Sequence, residues 1–488
     1  MSQNGSSHPE TAGAVVVGAR LAGCATAIPL ARAGHRVVAI DRDRFPSNTL
    51  STHGLFQGHL VELRRLGALD RLLALDPPKI RRFHVYHLGQ HAVETAHAVD
   101  GIDYGLCIGR EELDLALVES AREAGVEVRE RTSATSLLWE DGRAAGIRYR
   151  SRDGDEGEIR APLVVGADGR RSTVARLVGA DVPYRGSRNG RGFVWWYLDD
   201  PKLGTRWRET LTLWQIGETH VMTAPMPHGR MIVILMGPAE DVPLFRTDPR
   251  AMWERVLREH RHLADRVAGA GAPGKPFTSR EMPAFFRASS GSGWALAGDA
   301  GHYKDATIGQ GIRDSLEWGR RLGEAAAPVL RDAPRLDEAL ARWERARDRA
   351  VLPTYHWANM QSRIVLRQPI AVEALRTFDR SCGPELGDVL SRVRTPQQVF
   401  SPLRGMVWMA RALRRPGAER RTILGNLVQE SLVQTHARRE RLSNRFRPAR
   451  RSASETPGWT WPPRTQASGP KAVPSASEPV GARESEAA

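Results

Sequence analysis

Apolar and polar positions alternate in distinct regimes along the chain, and the first thirty residues after position 12 are the clearest. Residues 13–17 (Gly-Ala-Val-Val-Val) form a continuous apolar run of buried-strand length. Residues 18–23 hold a glycine-bearing turn, and 25–33 continue as a small-residue helix containing Pro29. Gly34 is suited to end that helix in the left-handed conformation. Residues 36–40 are the next strand, ending at Asp41. Strand, helix and strand over so short a span predict a βαβ unit and a parallel sheet.

The pattern then loosens. Residues 54–75 read as helical, and 80–109 alternate as strands, including 83–86. Leu113, Leu117, Val118 and Ala121 recur at helical spacing, so 111–124 is predicted as a helix. Strands are expected at 126–129, 144–149 and 162–166. Four runs rich in Trp, Tyr, Val and Ile follow, at 193–198, 210–216, 220–224 and 231–236, and predict an antiparallel sheet. Residues 294–297 make one more short strand. From 310 the pattern is helical: 310–327, then 335–366 with an interruption near Pro353, then segments to about 445. The tail 447–488 has seven prolines and little to bury, and is expected to be disordered.

Length and charge refine this picture. At 488 residues, the chain is long enough for two or three hydrophobic cores. No run of about 18 apolar residues occurs, which excludes a membrane-spanning helix. The N-terminal residues lack a basic segment followed by an apolar one, so a cytoplasmic protein is expected. Three scattered cysteines, Cys24, Cys107 and Cys382, suit neither a disulfide framework nor a metal site. The net charge is +15, but only five of the 71 basic residues are lysines. Thirteen arginines against three acids fall within 404–451, so most of the excess is local. No nucleic-acid motif accompanies it, and nucleic acid is not expected as a partner. Residues 400–424, with Met406, Val407, Trp408 and Leu413 among arginines, are amphipathic enough to allow weak peripheral membrane contact.

Three motifs carry chemistry. In the first, Gly18-Ala19-Arg20-Leu21-Ala22-Gly23 follows a strand and opens a helix, with Asp41 at the end of the next strand. Such a turn offers backbone N–H groups and a helix N-terminus to a pyrophosphate, and the acid accepts bonds from a ribose. Arg20 stands where the usual pattern has its middle glycine. In the second, the strand 163–166 ends in Ala167-Asp168-Gly169, with Ser172 and Thr173 placed to cap a short helix. In the third, Gly298-Asp299-Ala300-Gly301-His302 ends another strand, and Gly309-Gln310-Gly311 then opens a helix.

In this order and spacing, the three motifs resemble the FAD-dependent monooxygenases of the aromatic-hydroxylase (class A flavoprotein) type, over about residues 13–345. The Gly-Ala-Arg-x-Ala-Gly turn, the run at 45–53 and Gly-Asp-Ala-Gly-His are similar to a bacterial subgroup of FAD-dependent oxidoreductases. The resemblance implies an α/β chain: a Rossmann-like FAD-binding domain, an inserted antiparallel-sheet substrate domain and a C-terminal helical region. The boundaries expected are FAD-binding segments at 10–72, 108–180 and 291–345 and substrate-domain segments at 73–107 and 181–290. A helical region at 346–446 and the tail complete the chain.

The resemblance also implies roles. Gly18, Ala19 and Gly23 would meet the FAD pyrophosphate, where Arg20 is a cofactor-binding candidate that either supplies charge or points away, and Asp41, with Arg42 beside it, would meet the adenosine ribose. Arg110 matches the arginine that contacts the phosphate and ribityl region. Asp168 and Gly169 match a motif linked to FAD and NAD(P)H handling. Gly298 and Asp299 would hold the ribityl hydroxyls, and Gly309, Gln310 and Gly311 would place a helix N-terminus at the flavin pyrimidine ring, where reduced flavin is anionic. Ala306 stands where the family usually has a proline, on the wall facing the oxygen reaction. His53 and His302 are candidate acid–base groups, and either residue is as readily structural. Trp195, Tyr197 and Trp214 are candidates for an apolar substrate floor, although Trp195 and Trp196 must face opposite ways.

The implied activity is monooxygenation: NAD(P)H, as a transient co-substrate, reduces FAD, and O₂ adds to give a flavin C4a-hydroperoxide. One oxygen atom is then delivered to an apolar, aromatic or polycyclic small molecule. Three alternatives stand beside it. A halogenase would need a Trp-x-Trp-x-Ile-Pro motif and a well-placed lysine, and neither residues 194–199 nor Lys79 fits. An isoprenoid double-bond reductase would carry Tyr-x-Trp-x-Phe-Pro, which is absent. A non-catalytic flavin-binding protein is disfavoured by the intact Asp41, Asp168 and Asp299.

Overall fold

The computed structural model describes residues 10–425, apart from 52, 96, 188–189, 281, 364–368 and 382–383, together with 428, 435, 439 and 442. In chain order, β1 (Ala14–Val17), α1 (Leu21–Arg32) and β2 (Val37–Ile40) open the fold. After them come α2 (Gln57–Leu66), the hairpin β3 (Arg82–His87) and β4 (Gln90–Thr95), α3 (Arg110–Glu123) and β5 (Glu127–Arg129). A meander over 132–160 leads to β6 (Leu163–Gly166). Then follow β7 (Arg191–Asp199), β8 (Thr210–Ile216), β9 (Thr219–Pro225), β10 (Arg230–Pro238), β11 (Phe277–Ser279) and β12 (Trp294–Leu296). The chain closes on α4 (Gly311–Ala326), α5 (Ala333–Gln361), α6 (Pro369–Ser381), α7 (Glu385–Leu390) and α8 (Pro402–Leu413).

The βαβ opening forms as its pattern requires. β1, β2 and β6 are fully buried and pair in parallel, with Val15 level with Val38 and Val164. β12 and β5 extend the sheet on either side, and Ser290–Gly291 adds an antiparallel edge. α1 is apolar nearly all round because it is buried between this sheet and α4. β1, β2, β6 and β12 all end at one edge, so Gly18, Asp41, Asp168 and Asp299 arrive together.

The second large sheet has seven strands in the order β11-β7-β10-β9-β8-β3-β4. It is antiparallel except where β3 lies parallel to β8, with Phe83 level with Leu211. The hairpin from the eighties thus joins strands more than a hundred residues later. One face carries Phe193, Trp195 and Ile234; the other carries Val194, Trp196 and Trp214. The second face is covered by three helices absent from the sequence reading: Val242–Thr247, Pro249–Glu259 and Arg261–Val267. The first is covered by the C-terminal helices, which bring Trp357, Leu375, Phe378 and Leu390 into the same apolar cluster.

Pro353 does not interrupt its helix, contrary to the sequence expectation: α5 runs 29 residues through it. The carbonyl left without an N–H partner belongs to Arg349, which is exposed, so water can satisfy it. Gly34 does end α1, with φ +84°. The tail expected at 447–488 lies outside the described residues.

Candidate active site

A cleft of about 1930 Å³ runs along the edge where the parallel strands end. At one end is the turn after β1. Gly18 has φ +100°, and a Cβ there would lie 2.5 Å from the Ala167 carbonyl oxygen. A Cβ on Gly23 would lie 1.8 Å from the Gly18 oxygen. Both positions therefore require glycine, one for the turn and one for packing the helix onto it. Asp41 accepts from the backbone N–H of Ala19 (2.8 Å) and of Asp43 (2.9 Å), and burial pushes its pKa up. No side chain caps α1, so its first-turn N–H groups open onto the cleft, which Leu21 and Ala22 line.

Arg20 does not fill the space that a glycine would leave. Its guanidinium lies along the wall, bonded to Asp114, Asp43 (3.1 Å) and the Ser47 hydroxyl (2.7 Å). Arg110 also holds Asp114, through Nη2 at 2.8 Å, so one buried carboxylate ties two arginines lining the cleft. Arg42 lies at the rim, largely exposed. Asp168 accepts from the Ser172 hydroxyl (2.5 Å) and the Thr173 N–H (2.6 Å), while Ser172 caps the helix Thr173–Leu177. Its carboxylate is thus engaged in holding this turn, with Gly169 beside it on the cleft wall.

Asp299 differs. It lines the cleft, burial raises its pKa, and it has no hydrogen-bond partner among the described residues. Gly298, at φ +56°, allows this loop to approach α1: a Cβ there would lie 2.7 Å from the Ala22 Cβ. At the same end, Gly309 and Gly311 line the cleft at the start of α4, which has no side-chain cap. A Cβ on Gly311 would meet nothing within 4 Å. Two uncapped helix N-termini and one carboxylate without a partner therefore face a single cavity. That donor set fits a dinucleotide: the helix ends favour anionic groups, and the carboxylate accepts from sugar or ribityl hydroxyls.

Several expected site residues lie elsewhere. Gln310 is fully buried with its amide turned away, donating to the Leu390 carbonyl (2.8 Å) and accepting from Arg392 Nε (2.5 Å). His302 is behind the wall rather than on it, packed on Phe286 and 3.3 Å from Asp314, and burial holds its pKa well below normal. His53 is fully buried, and burial drives its pKa down to about 3. Its Nδ1–H donates to the Ser51 carbonyl (2.9 Å), so Nε2 is the acceptor for the Tyr197 hydroxyl (2.7 Å). A neutral ring with both nitrogens engaged is a structural group in this arrangement. Trp195 and Tyr197 share the cleft-side face of the sheet but do not line the cleft. Trp214 is on the opposite face, beside Trp207 and His262, because β8 alternates and sends Leu211 and Leu213 to the cleft-side cluster. It cannot floor a pocket on the cleft side.

With this geometry established, comparison with known proteins decides the family. The FAD binding domain family matches residues 11–352. The chain belongs to that family. A digeranylgeranylglycerophospholipid reductase from Methanosarcina acetivorans is 41% identical over 97 residues, covering 20% of this chain and 24% of that one. This chain therefore matches about a quarter of that curated relative's length. A rifampicin monooxygenase from Streptomyces venezuelae is 26% identical over 381 residues, covering 74% of this chain and 69% of that one. Among solved structures, a myxobacterial chondrochloren halogenase superposes with a TM-score of 0.63 at 18% identity, covering 80% of this chain and 99% of that one, which shows the fold.

Within this FAD-binding fold, sequence reading overlooked three groups. Asp114 stands four residues after Arg110, a spacing that places both on one helix face and could have been noticed. Lys304, lining the cleft, is buried and ion-paired with Asp314. Arg392 reaches Asp314 (2.6 Å) from beyond α7, a contact with no signature in local sequence. Lys79 stacks on Tyr104 outside the cleft.

Proposed function

We propose that this chain is an NAD(P)H-dependent FAD monooxygenase acting on an apolar small organic molecule. One oxygen atom of O₂ would enter the substrate and the other would leave as water, with NAD(P)H supplying the two electrons. The observation that carries the reading is the convergence of the α1 and α4 N-termini and the unpartnered Asp299 on one cleft. A single ligand commonly occupies about 300–1,000 Å³, so a cleft of about 1930 Å³ has room for FAD and a second molecule.

In this reading, the N–H groups of α1 bind the pyrophosphate, with Arg20 and Arg110 supplying positive charge along the wall. Asp41 orients the adenosine ribose and Asp299 the ribityl chain. Asp168 and Gly169 shape the turn between them. The α4 N-terminus at Gly309–Gly311 stabilises negative charge on the reduced pyrimidine ring. Bound FAD would supply the electron transfer and oxygen activation. Leu50, Phe285, Tyr303 and Ala306 line the cleft and belong to the apolar cluster that continues to Trp195, so they form the apolar wall for substrate. The relative with the longest sequence overlap reported above, the rifampicin monooxygenase, supports this reading.

The test is product analysis under isotopically labelled dioxygen, with NADH or NADPH and a panel of aromatic and polycyclic substrates. One labelled oxygen atom in the product supports monooxygenation. The reductase relative favours a second reading, saturation of an isoprenoid double bond. Under that reading the product gains two hydrogens and no labelled oxygen.

A further inference from the structure

The C-terminal helix α8 presents two different faces. One is packed: Trp408 and Ala412 are buried, Trp408 Nε1 donates to Thr377 Oγ1 of α6 (3.0 Å), and its ring meets Phe378 edge-on. The other carries Leu403, Met406 and Val407 at 68%, 53% and 41% exposure. Their spacing of three and four places them in one stripe along the helix. Leu424 and Val428 continue the exposed apolar positions at 50% and 58%. Solvated helices carry polar side chains at such places.

Charge accompanies the stripe. Between 402 and 425 there are six arginines and one acid, and between 404 and 451 thirteen arginines and three acids. Arg404 is spent on the Phe378 and Trp408 rings and Arg415 on Glu373 (2.5 Å). Arg414, Arg420 and Arg421 are exposed and have no carboxylate partner among the described residues.

We propose that α8 and residues 414–425 form a docking surface for an anionic lipid bilayer. Leu403, Met406 and Val407 enter the boundary between headgroups and acyl chains, and the arginines pair with lipid phosphates. An interfacial helix needs this combination, an apolar stripe flanked by basic residues, and does not need the length of a spanning helix. No helix among the described residues is long and apolar enough to cross a membrane. A second copy of the chain is the poorer occupant, because self-association through this face would bring two strongly basic segments together. Nucleic acid would satisfy the arginines and leave the apolar stripe unexplained. The proposal is independent of the oxygenase reading. α8 rests on α6, whose Leu375 and Phe378 reach the apolar cluster beneath the seven-stranded sheet, so docking would bring that cluster towards the lipid surface.

The test uses the full-length, FAD-loaded protein and co-sedimentation with phosphatidylcholine vesicles, with and without phosphatidylglycerol. Partition onto the anionic vesicles is expected to exceed that onto neutral ones by about tenfold or more, and to weaken with added salt. A double variant, Leu403→Glu with Met406→Glu, should lose this partition, as should Arg414→Glu with Arg420→Glu. Both should keep the wild-type flavin content and spectrum, because neither pair touches the cleft. Equal partition on the two lipids overturns the proposal, as does unchanged binding by the Leu403/Met406 variant. So does sedimentation velocity showing that the wild type self-associates through this face and the variant does not.

Discussion

Arg392 donates from Nε to the side-chain oxygen of Gln310 at 2.5 Å and from Nη2 to Asp314 at 2.6 Å. Gln310 occupies the residue position just before α4, without capping the helix by its side chain, and Asp314 lies in the first turn. A residue from the C-terminal helical region thus fixes the helix end that the proposed flavin site depends on. Burial lowers the Arg392 pKa to about 10, so it stays charged throughout the physiological range. Arg392→Ala removes two hydrogen bonds involving charge and leaves a buried carboxylate short of a partner. Such losses cost about 2–3 kcal/mol, which denaturant titration will show, and FAD affinity should fall alongside. Arg392→Lys should recover part of the stability through Asp314 and less of the affinity, because one ammonium cannot span both acceptors in the guanidinium's geometry.

Asp299 and Gly311 separate ligand binding from folding. Asp299 has a desolvated carboxylate with no hydrogen-bond partner among the described residues, so Asp299→Ala should leave the apoprotein about as stable as wild type. Its FAD affinity should fall by about ten- to a hundredfold, the effect of removing a charged hydrogen-bond acceptor. Gly311→Val places a side chain in open space in the protein itself. Apoprotein stability should be nearly unchanged, and FAD binding, followed by flavin fluorescence, should weaken strongly. Normal affinity in both variants would move the flavin elsewhere.

Tyr197 and His53 make a prediction about pH. The His53 pKa is lowered to about 3, by burial first and by the Arg110 charge as a smaller contribution. The folded protein refuses a proton that the unfolded chain takes up below about 6.5. The resulting stability is complete above pH 6.5 and is lost as pH falls towards 3. His53→Gln should flatten this acid limb in chemical denaturation. Activity should show no inflection from His53 between pH 5 and 8. Tyr197→Phe leaves Nε2 buried without its donor and should cost about 1–3 kcal/mol.

Glu94 predicts the opposite slope. It is buried on β4, accepts from the N–H groups of Leu386 and Gly387 (3.0 Å each at Oε2), and has a pKa raised to about 7 by burial. The backbone donors oppose this shift, and Glu385 and Asp388 add to it. The folded state holds a proton that the unfolded chain releases near 4.5. Stability from this group is full below that value and is lost as pH rises through 7. Unfolding measured at pH 5 and pH 8 should show wild type losing on the order of 2–3 kcal/mol relative to Glu94→Gln.

These residues also show where sequence reading succeeds. β1, α1 and β2 follow from local periodicity, and Gly18, Asp41, Asp168 and Asp299 from their positions at strand ends. Those features are local, so the chain states them directly. The partnership of β3 with β8 depends on chain segments far apart, and no periodicity encodes it. Alternation shows that Trp195 and Trp196 face opposite ways, but not which face meets the cleft. Trp214 lies on the face away from the cleft, which alternation alone does not distinguish from the other. His302 follows Asp299 by three residues, yet the turn between them sends one to the cleft and the other onto Asp314. Arg392 acts through a contact some eighty residues away in sequence, which only the packed C-terminal helices create.

If this FAD-binding protein activates dioxygen as proposed, the reaction of its reduced flavin with O₂ reveals it most directly. The holoprotein is reduced anaerobically, mixed with O₂ in a stopped-flow instrument with and without candidate substrates, and followed by its flavin spectrum. A transient species that matches neither reduced nor oxidised flavin, formed before reoxidation, is the predicted result. Direct return to the oxidised spectrum under every condition would contradict the account and favour the double-bond reductase.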